Sequence, residues 1–262
     1  MDIDLRGKHA VVCGSTQGIG LATARELARL GASVTLLARN AEALESVRTS
    51  LESVDGASHR ALAADFGEPE RVQAAIVELV ESSGTAHILI NNTGGPPGGP
   101  LHAAGPEELE KAFAQHVLCN QLLAQAVIPG MKDAGYGRII NIISTSVKAP
   151  IPGLGVSNTI RGAVANWAKT LAGELGPFGI TVNNVLPGFT LTGRLHSLIA
   201  AKAKAQGVPE STIESAMKET IPLRRFASPE EVAAAACWLA SPAAAYINGI
   251  NLPVDGGRTP SL

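Results

Sequence analysis

Six short and almost wholly apolar runs recur along the chain, each separated from the next by a stretch of helical periodicity. No other feature limits the possible folds so tightly. The runs are Ala10–Cys13, Ser33–Ala38, His87–Ile90, Arg138–Ile143, Thr181–Leu186 and Ile250–Val254. Helical patterns lie between them over Ile19–Leu30, Ala41–Ser53, Pro69–Ser82, Pro106–Ile128, Ser157–Leu175 and Pro229–Ala240. A strand apolar on successive residues is buried on both faces, which predicts a parallel sheet covered by helices on each side. Nothing resembling a linker or repeat breaks the alternation, so the expectation is an α/β fold with one doubly wound domain over residues 1–262. Such a domain carries a parallel sheet of about seven strands. The segment Thr190–Leu223 interrupts the pattern with polar, alanine-rich helical sequence and no strand, and reads as an inserted substrate lid.

Composition narrows the function classes. An apolar fraction of 45% with 17% charged residues is that of a soluble globular protein with a large core. Cys13, Cys119 and Cys237 are scattered, with no CxxC pair and no Cys/His cluster, which predicts no metal site and a reducing compartment. The acidic start, Met1-Asp2-Ile3-Asp4-Leu5, lacks the apolar stretch of a signal peptide. No run reaches the ~18 apolar residues of a membrane span. A net charge of -2, with both signs interspersed, offers no footprint for nucleic acid or an anionic membrane. The expectation is a cytoplasmic protein acting on small molecules.

The turn after the first strand reads Cys13-Gly14-Ser15-Thr16-Gln17-Gly18-Ile19-Gly20. A glycine-rich turn opening a helix lets the backbone approach a pyrophosphate, whose charge the helix N-terminus meets. Glycine spacing alone is a weak signal, but its place in a βαβ unit strengthens it. The spacing G-x-x-x-G-x-G resembles the short-chain dehydrogenase/reductase family. Asn91-Asn92-Thr93-Gly94, Pro187-Gly188 with Thr190 and Thr192, Ile221-Pro222-Leu223-Arg224-Arg225 and Val254-Asp255-Gly256-Gly257 are similar to that family's elements, in the same order. The resemblance covers nearly the whole chain. It implies a Rossmann-type fold whose nicotinamide dinucleotide is held by Gly14, Ser15, Gln17, Gly18, Ile19, Gly20, Asn91, Thr93, Gly94, Pro187, Gly188, Thr190 and Thr192. It also places Asp65 beside the adenine. It further implies a homodimer or homotetramer packed through the helices Pro106–Ile128 and Ser157–Leu175.

After the second strand, an acid would bind the ribose 2′-OH of NAD, whereas an arginine suits the 2′-phosphate of NADP. Here Leu37-Ala38-Arg39-Asn40 puts Ala38 at the acid's place with Arg39 following, so NADP(H) is expected over NAD(H). The plainer alternative makes Arg39 a solvated residue at a helix start.

The family's chemistry rests on an asparagine, a serine, a tyrosine and a lysine. Ser144 stands where the resemblance expects the serine that polarises the substrate carbonyl; a strand-end serine can also merely cap backbone groups. The tyrosine and lysine positions fall on Ser157 and Arg161. Neither Tyr136 nor Tyr246 begins a Tyr-x-x-x-Lys. The asparagine position falls on His116, or one helical turn later on Asn120. The pattern Ser157-Asn158-x-x-Arg161 is similar to that of a subgroup labelled 3-oxoacyl-carrier-protein-reductase-like. A serine hydroxyl cannot replace a phenol of pKa about 10, and arginine does not release its proton. The replacement proton donor is then His116, with an intrinsic pKa of about 6.5, or Lys148 on the loop after Ser144. Either can instead be structural, as a core histidine or a solvated lysine. Three functions stay open: a carbonyl reductase or alcohol dehydrogenase of the NADP(H) class, an NADP(H)-binding sensor or regulatory subunit, and a non-redox lyase or isomerase. The first two would share a cofactor but differ in turnover on a small carbonyl or alcohol.

Overall fold

The structure is a computed structural model and describes residues 1–261. Seven strands form one sheet, with every neighbouring pair parallel: β1 (His9–Cys13), β2 (Ser33–Ala38), β3 (Arg60–Ala63), β4 (Ile88–Asn91), β5 (Gly137–Ile142), β6 (Ile180–Pro187) and β7 (Asn251–Val254). Their order across the sheet is β3-β2-β1-β4-β5-β6-β7. The chain leaves β1 toward one edge, then returns to lay β4 on its other side. The crevice above the carboxyl ends of β1 and β4, where the winding reverses, is therefore where a ligand fits in such a sheet.

Residues alternate along each strand between two cores, as the all-apolar runs require. Ala10 and Val12 of β1 face helices α1 (Gly18–Arg29), α2 (Ala41–Ser50) and α9 (Pro229–Ala240). Val11 and Cys13 face α3 (Pro69–Ser83), α5 (Cys119–Asp133) and α6 (Gly155–Leu175). Among the described residues, no helix is long and apolar enough to cross a membrane.

Two features, β3 and the helix after Gly105, depart from the sequence-based expectation. The strand β3 lies at the sheet edge with most of its residues exposed. Its sequence, Arg60-Ala61-Leu62-Ala63, has no second face to bury and so lacks the apolar run that marks the others. The expected helix Pro106–Ile128 is α4 (Pro106–Phe113) joined to α5 by a π-helical turn over Ala114–Leu118, and it continues to Asp133. The segment after β6 forms α7 (Gly193–Gln206) and α8 (Glu210–Glu219) around their own small core, including Leu195, Ile199, Ile213, Met217 and Phe226. Its two ends are tied together where Leu191 N–H donates to the Ala227 carbonyl and Ala227 N–H to that of Phe189, both at 2.9 Å.

Four asparagines cross the sheet in register, near the carboxyl ends of β4 and β5, within β6 and at the first residue of β7. Asn91 pairs with Asn141, Asn141 with Asn184, and Asn184 with Asn251. Each amide nitrogen donates to the next amide oxygen at 2.8 Å. A one-residue slip of any strand would carry its asparagine to the opposite face and into apolar packing. Replacing the central rung by Asn141→Ala strands a donor on Asn91 and an acceptor on Asn184. The expected loss is about 2–4 kcal/mol of unfolding free energy, measured by urea denaturation.

Candidate active site

The crevice begins with the turn that leaves β1. Gly14 and Gly18 take positive φ values of 59° and 56°. A Cβ on Gly14 would stand 2.5 Å from the Asn92 carbonyl oxygen, and one on Gly20 would collide with the Gly14 carbonyl. Only glycine permits this close packing of turn, helix and β4. Asn92 fixes the turn from the side, its amide donating to the carbonyls of Cys13 at 3.2 Å and Gly14 at 3.3 Å.

The same turn has groups that wait for a partner. Ser15 is fully buried and its hydroxyl makes no hydrogen bond among the described residues. Gln17 precedes α1 without capping it, and no acidic residue occupies the helix's first turn. Open N–H groups, a free hydroxyl and a positive helix end fit a diphosphate. Ile19 packs against the adjacent core.

The other cofactor candidates surround this cradle. The Thr192 methyl would meet a Cβ of Gly18 at 3.1 Å, so the strand-like segment from Thr190 runs over the turn. Thr192 also caps α7, accepting from Leu195 N–H at 3.4 Å. Pro187 ends β6, and Gly188 abuts Asp255 where a Cβ would come within 2.7 Å of its Cα. Asp65 follows β3 and folds its carboxylate back onto Gly67 N–H at 2.8 Å. Arg39 is exposed at the end of β2, while Asn40 beside it caps α2 through Ala43 N–H. Gly94 has open space where a side chain would stand. Asn91 differs from the rest, since it is 3% exposed and its amide is engaged with Asn141. Its contribution is to hold the strand end in place rather than to present a donor.

Around the crevice from this cradle, the structure brings together most of the catalytic candidates. Arg161 lies on α6 with 7% of its surface exposed. Its guanidinium donates to the Ile142 carbonyl at the end of β5 (3.3 Å) and reaches the Thr93 carbonyl after β4 (3.5 Å). Ser144 follows β5 in an extended conformation and is half-buried, its hydroxyl accepting from Ser146 N–H at 3.1 Å. Lys148 closes the short 3-10 turn beyond it, its N–H donating to the Thr145 carbonyl at 2.9 Å. Ser157 sits half-buried one helical turn before Arg161.

His116 occupies the π turn, where its Nδ1 lies 2.6 Å from the Thr93 hydroxyl and its buried Nε2 has no partner among the described residues. Of the two registers left open by the sequence, His116 lies by Thr93 and Arg161, and Asn120 lies one turn further, buried in α5. A π turn within a helix commonly marks a functional site.

Burial shifts two ionisable groups of the site, His116 and Arg161. Burial, reinforced by the nearby Arg161 charge, pushes the His116 imidazole down to about 3. That shift favours the neutral ring at ordinary pH and disfavours a role as an imidazolium acid. Burial, with Arg194 as a second cation nearby, lowers Arg161 to about 10, which leaves it charged.

Two further residues of this region were given no role by the sequence. Asn158 clamps the loop beyond Lys148, donating to the Ile151 carbonyl at 3.0 Å and accepting from its N–H at 3.4 Å. Arg194, at the start of α7, donates to the Pro96 carbonyl at 2.7 Å and so bridges the helical insertion to the loop after β4.

The depressed His116 pKa has a definite sign. Unfolded histidine takes up its proton near pH 6.5, whereas the buried ring stays neutral until about 3, so stability falls as pH drops through that interval. His9, lowered to about 4 by burial, contributes in the same direction. Between pH 7 and 4.5 a His116→Asn variant should lose about 2 kcal/mol less stability than the parent protein. Urea melts at the two pH values measure this difference.

Comparison with known proteins agrees with this architecture. A family model described as Enoyl-(Acyl carrier protein) reductase matches residues 14–259. The chain is 33% identical over 258 residues to gluconate 5-dehydrogenase of Gluconobacter oxydans (strain 621H), covering 98% of this chain and 97% of that protein. The structure of L-sorbose reductase from Gluconobacter frateurii complexed with NADPH and L-sorbose superposes with a TM-score of 0.93 at 33% identity, covering both chains fully. That of 3-ketoacyl-(acyl-carrier-protein) reductase from Brucella melitensis complexed with NADH gives 0.84 at 30% identity, over 98% of this chain and 100% of that one. The chain belongs to the short-chain dehydrogenase/reductase family.

Proposed function

We propose that this protein is an NADP(H)-dependent oxidoreductase that interconverts a small carbonyl compound and its alcohol through a rebuilt proton-donor site. The observation that carries the proposal is the buried, charged Arg161 guanidinium at the ends of β4 and β5, beside Ser144 and next to an open dinucleotide cradle. Bound NADPH supplies a hydride. The cradle of Gly14, Ser15, Gln17, Gly18, Ile19 and Gly20 would hold its diphosphate, while Asp65 flanks the adenine end. Thr93, Gly94, Pro187, Gly188, Thr190 and Thr192 border the nicotinamide end.

Hydride addition to a carbonyl carbon leaves negative charge on oxygen, and the protein's task is to receive that charge. The Ser144 hydroxyl and the Arg161 guanidinium are the donors placed to do so. Arginine holds its proton, the lowered pKa of His116 disfavours it as an imidazolium acid, and a serine hydroxyl at Ser157 is too weak an acid. Lys148, on the turn beyond Ser144, is the group we assign to deliver the proton to the alkoxide. Ser157 and the Asn158 clamp would keep the loop carrying it close to the site. The segment 190–223 acts in this reading as the lid. Phe113 and Leu118, 42% and 44% exposed along α4 and the π turn, are consistent with a homodimer or homotetramer. The lack of any phenol at Ser157 favours a second reading, an NADP(H)-binding protein without turnover.

Oxidation of NADPH, followed by absorbance from about pH 5.5 to 9 against 3-oxoacyl thioesters, aldehydes, diketones and oxo acids, tests the proposal. Ser144→Ala should lower kcat/KM about 100-fold, and Lys148→Met should remove the basic limb of the pH profile. Cofactor binding with no turnover on any of these substrates would favour the second reading. Arg39→Ala should weaken NADPH about 10-fold or more with little change for NADH, measured by fluorescence titration. Equal loss for both cofactors would remove the 2′-phosphate role of Arg39.

A further inference from the structure

Two arginines converge on the loop after β4 with no acid to meet them. The side-chain position of Gly95, were it occupied by a Cβ, would lie 3.7 Å from Arg161 Nη2 and 3.9 Å from Arg194 Nη2. One guanidinium comes from the buried face of α6, and the other comes from the first turn of α7 on the opposite side of the crevice. Neither forms an ion pair among the described residues. Arg161 engages only two carbonyl oxygens, at 3.3 and 3.5 Å, and Arg194 one, at 2.7 Å. A guanidinium has five N–H donors, so most of the fork on each side is left unmatched.

Bringing two like charges together, one of them out of water, is unfavourable unless an anion completes the arrangement. The pair is mutually felt, since the Arg194 charge is the second cause, after burial, of the lowered Arg161 pKa. Gly94 and Gly95 carry no side chain into the approach, and among the described residues no carboxylate pairs with either arginine. A planar carboxylate, with two oxygens and four lone pairs, matches the donor edges of two guanidinium forks. An uncharged ketone or aldehyde has one oxygen and would leave the second arginine idle.

We infer that Arg161 and Arg194 together form a carboxylate-binding site, so that the substrate is an oxo acid whose carboxylate lies close to the reacting carbonyl. The inference rests on the oxidoreductase reading and deepens it. Arg194 also gives the site a means of engaging the helical insertion, because the same side chain that grips the substrate already joins α7 to the Pro96 loop. A bound oxo acid would then draw that segment over the crevice.

Oxamate, an unreactive mimic of a short 2-oxo acid, and oxamide, its neutral counterpart, separate charge from shape. Each is titrated into the full-length protein loaded with NADPH and followed by calorimetry. Oxamate should bind at least about 10-fold more tightly than oxamide, and Arg194→Gln should weaken oxamate about 10- to 100-fold. Arg194 is exposed, so that variant keeps the fold, and its NADPH affinity should stay within about 3-fold of the parent. Equal affinity for oxamate and oxamide, or binding of neither, overturns the proposal. Loss of NADPH affinity matching the loss of oxamate overturns it too, by assigning Arg194 to a cofactor phosphate. Selective oxamate binding without oxo-acid turnover upholds the carboxylate site while removing the reductase reading. Turnover of neutral ketones with no preference for oxamate does the reverse.

Discussion

Four asparagine amides, bonded side by side, hold β4, β5, β6 and β7 in one register, and the crevice is assembled just beyond that row. Directly beyond Asn91 the chain enters Asn92, which pins the glycine turn, and then Thr93, whose carbonyl and hydroxyl meet Arg161 and His116. Ser144 stands three residues after Asn141 in the same way. Pro187 and Gly188 come soon after Asn184 on β6. Each strand therefore delivers its functional residues within a few positions of a rung. The amides also polarise one another along the row, which makes the register of four strands a collective property. The first rung leaves the Asn91 side-chain oxygen buried and unpartnered.

Legibility in the sequence tracked burial. Strands enclosed on both faces announced themselves as apolar runs, and the glycine turn was readable because three glycines at fixed spacing have few other reasons to occur. Edge strand β3 was silent because a strand open to solvent has no pattern to keep. The asparagine row was silent for a different reason. Single asparagines in Ile88–Asn91 and Gly137–Ile142, and the pair Asn183-Asn184 in Ile180–Pro187, look like interruptions of a strand until the sheet order sets them side by side.

The site shows the same division. Arg161 was identifiable by its place in the chain, but its nearly complete burial without an acid was not, since that depends on where α6 packs against β5. Arg194 carried no signal because its importance comes from a segment distant in sequence, the loop at Pro96. For His116 the sequence supplied the residue and its intrinsic pKa. The packing around the π turn then lowers that pKa and favours the neutral ring. In each instance the chemistry of a side chain was visible in the sequence, whereas its ionisation and its partners belonged to the tertiary structure.

The π turn between α4 and α5 has a consequence for how this surface can change over time. A π turn amounts to one surplus residue in an otherwise α-helical path, and each added residue rotates the downstream helix by roughly 100°. The surplus is absorbed locally, so α4 and α5 are no longer bound to a common phase. Positions on α4 can be exchanged to suit a new substrate or neighbour without turning the α5 residues Leu123, Val127 and Met131 out of the core. Loss of that single residue by deletion would fuse the two phases again and swing His116 away from Thr93. Variation in this protein's lineage is thus freer in composition on α4 than in length across Ala114–Leu118.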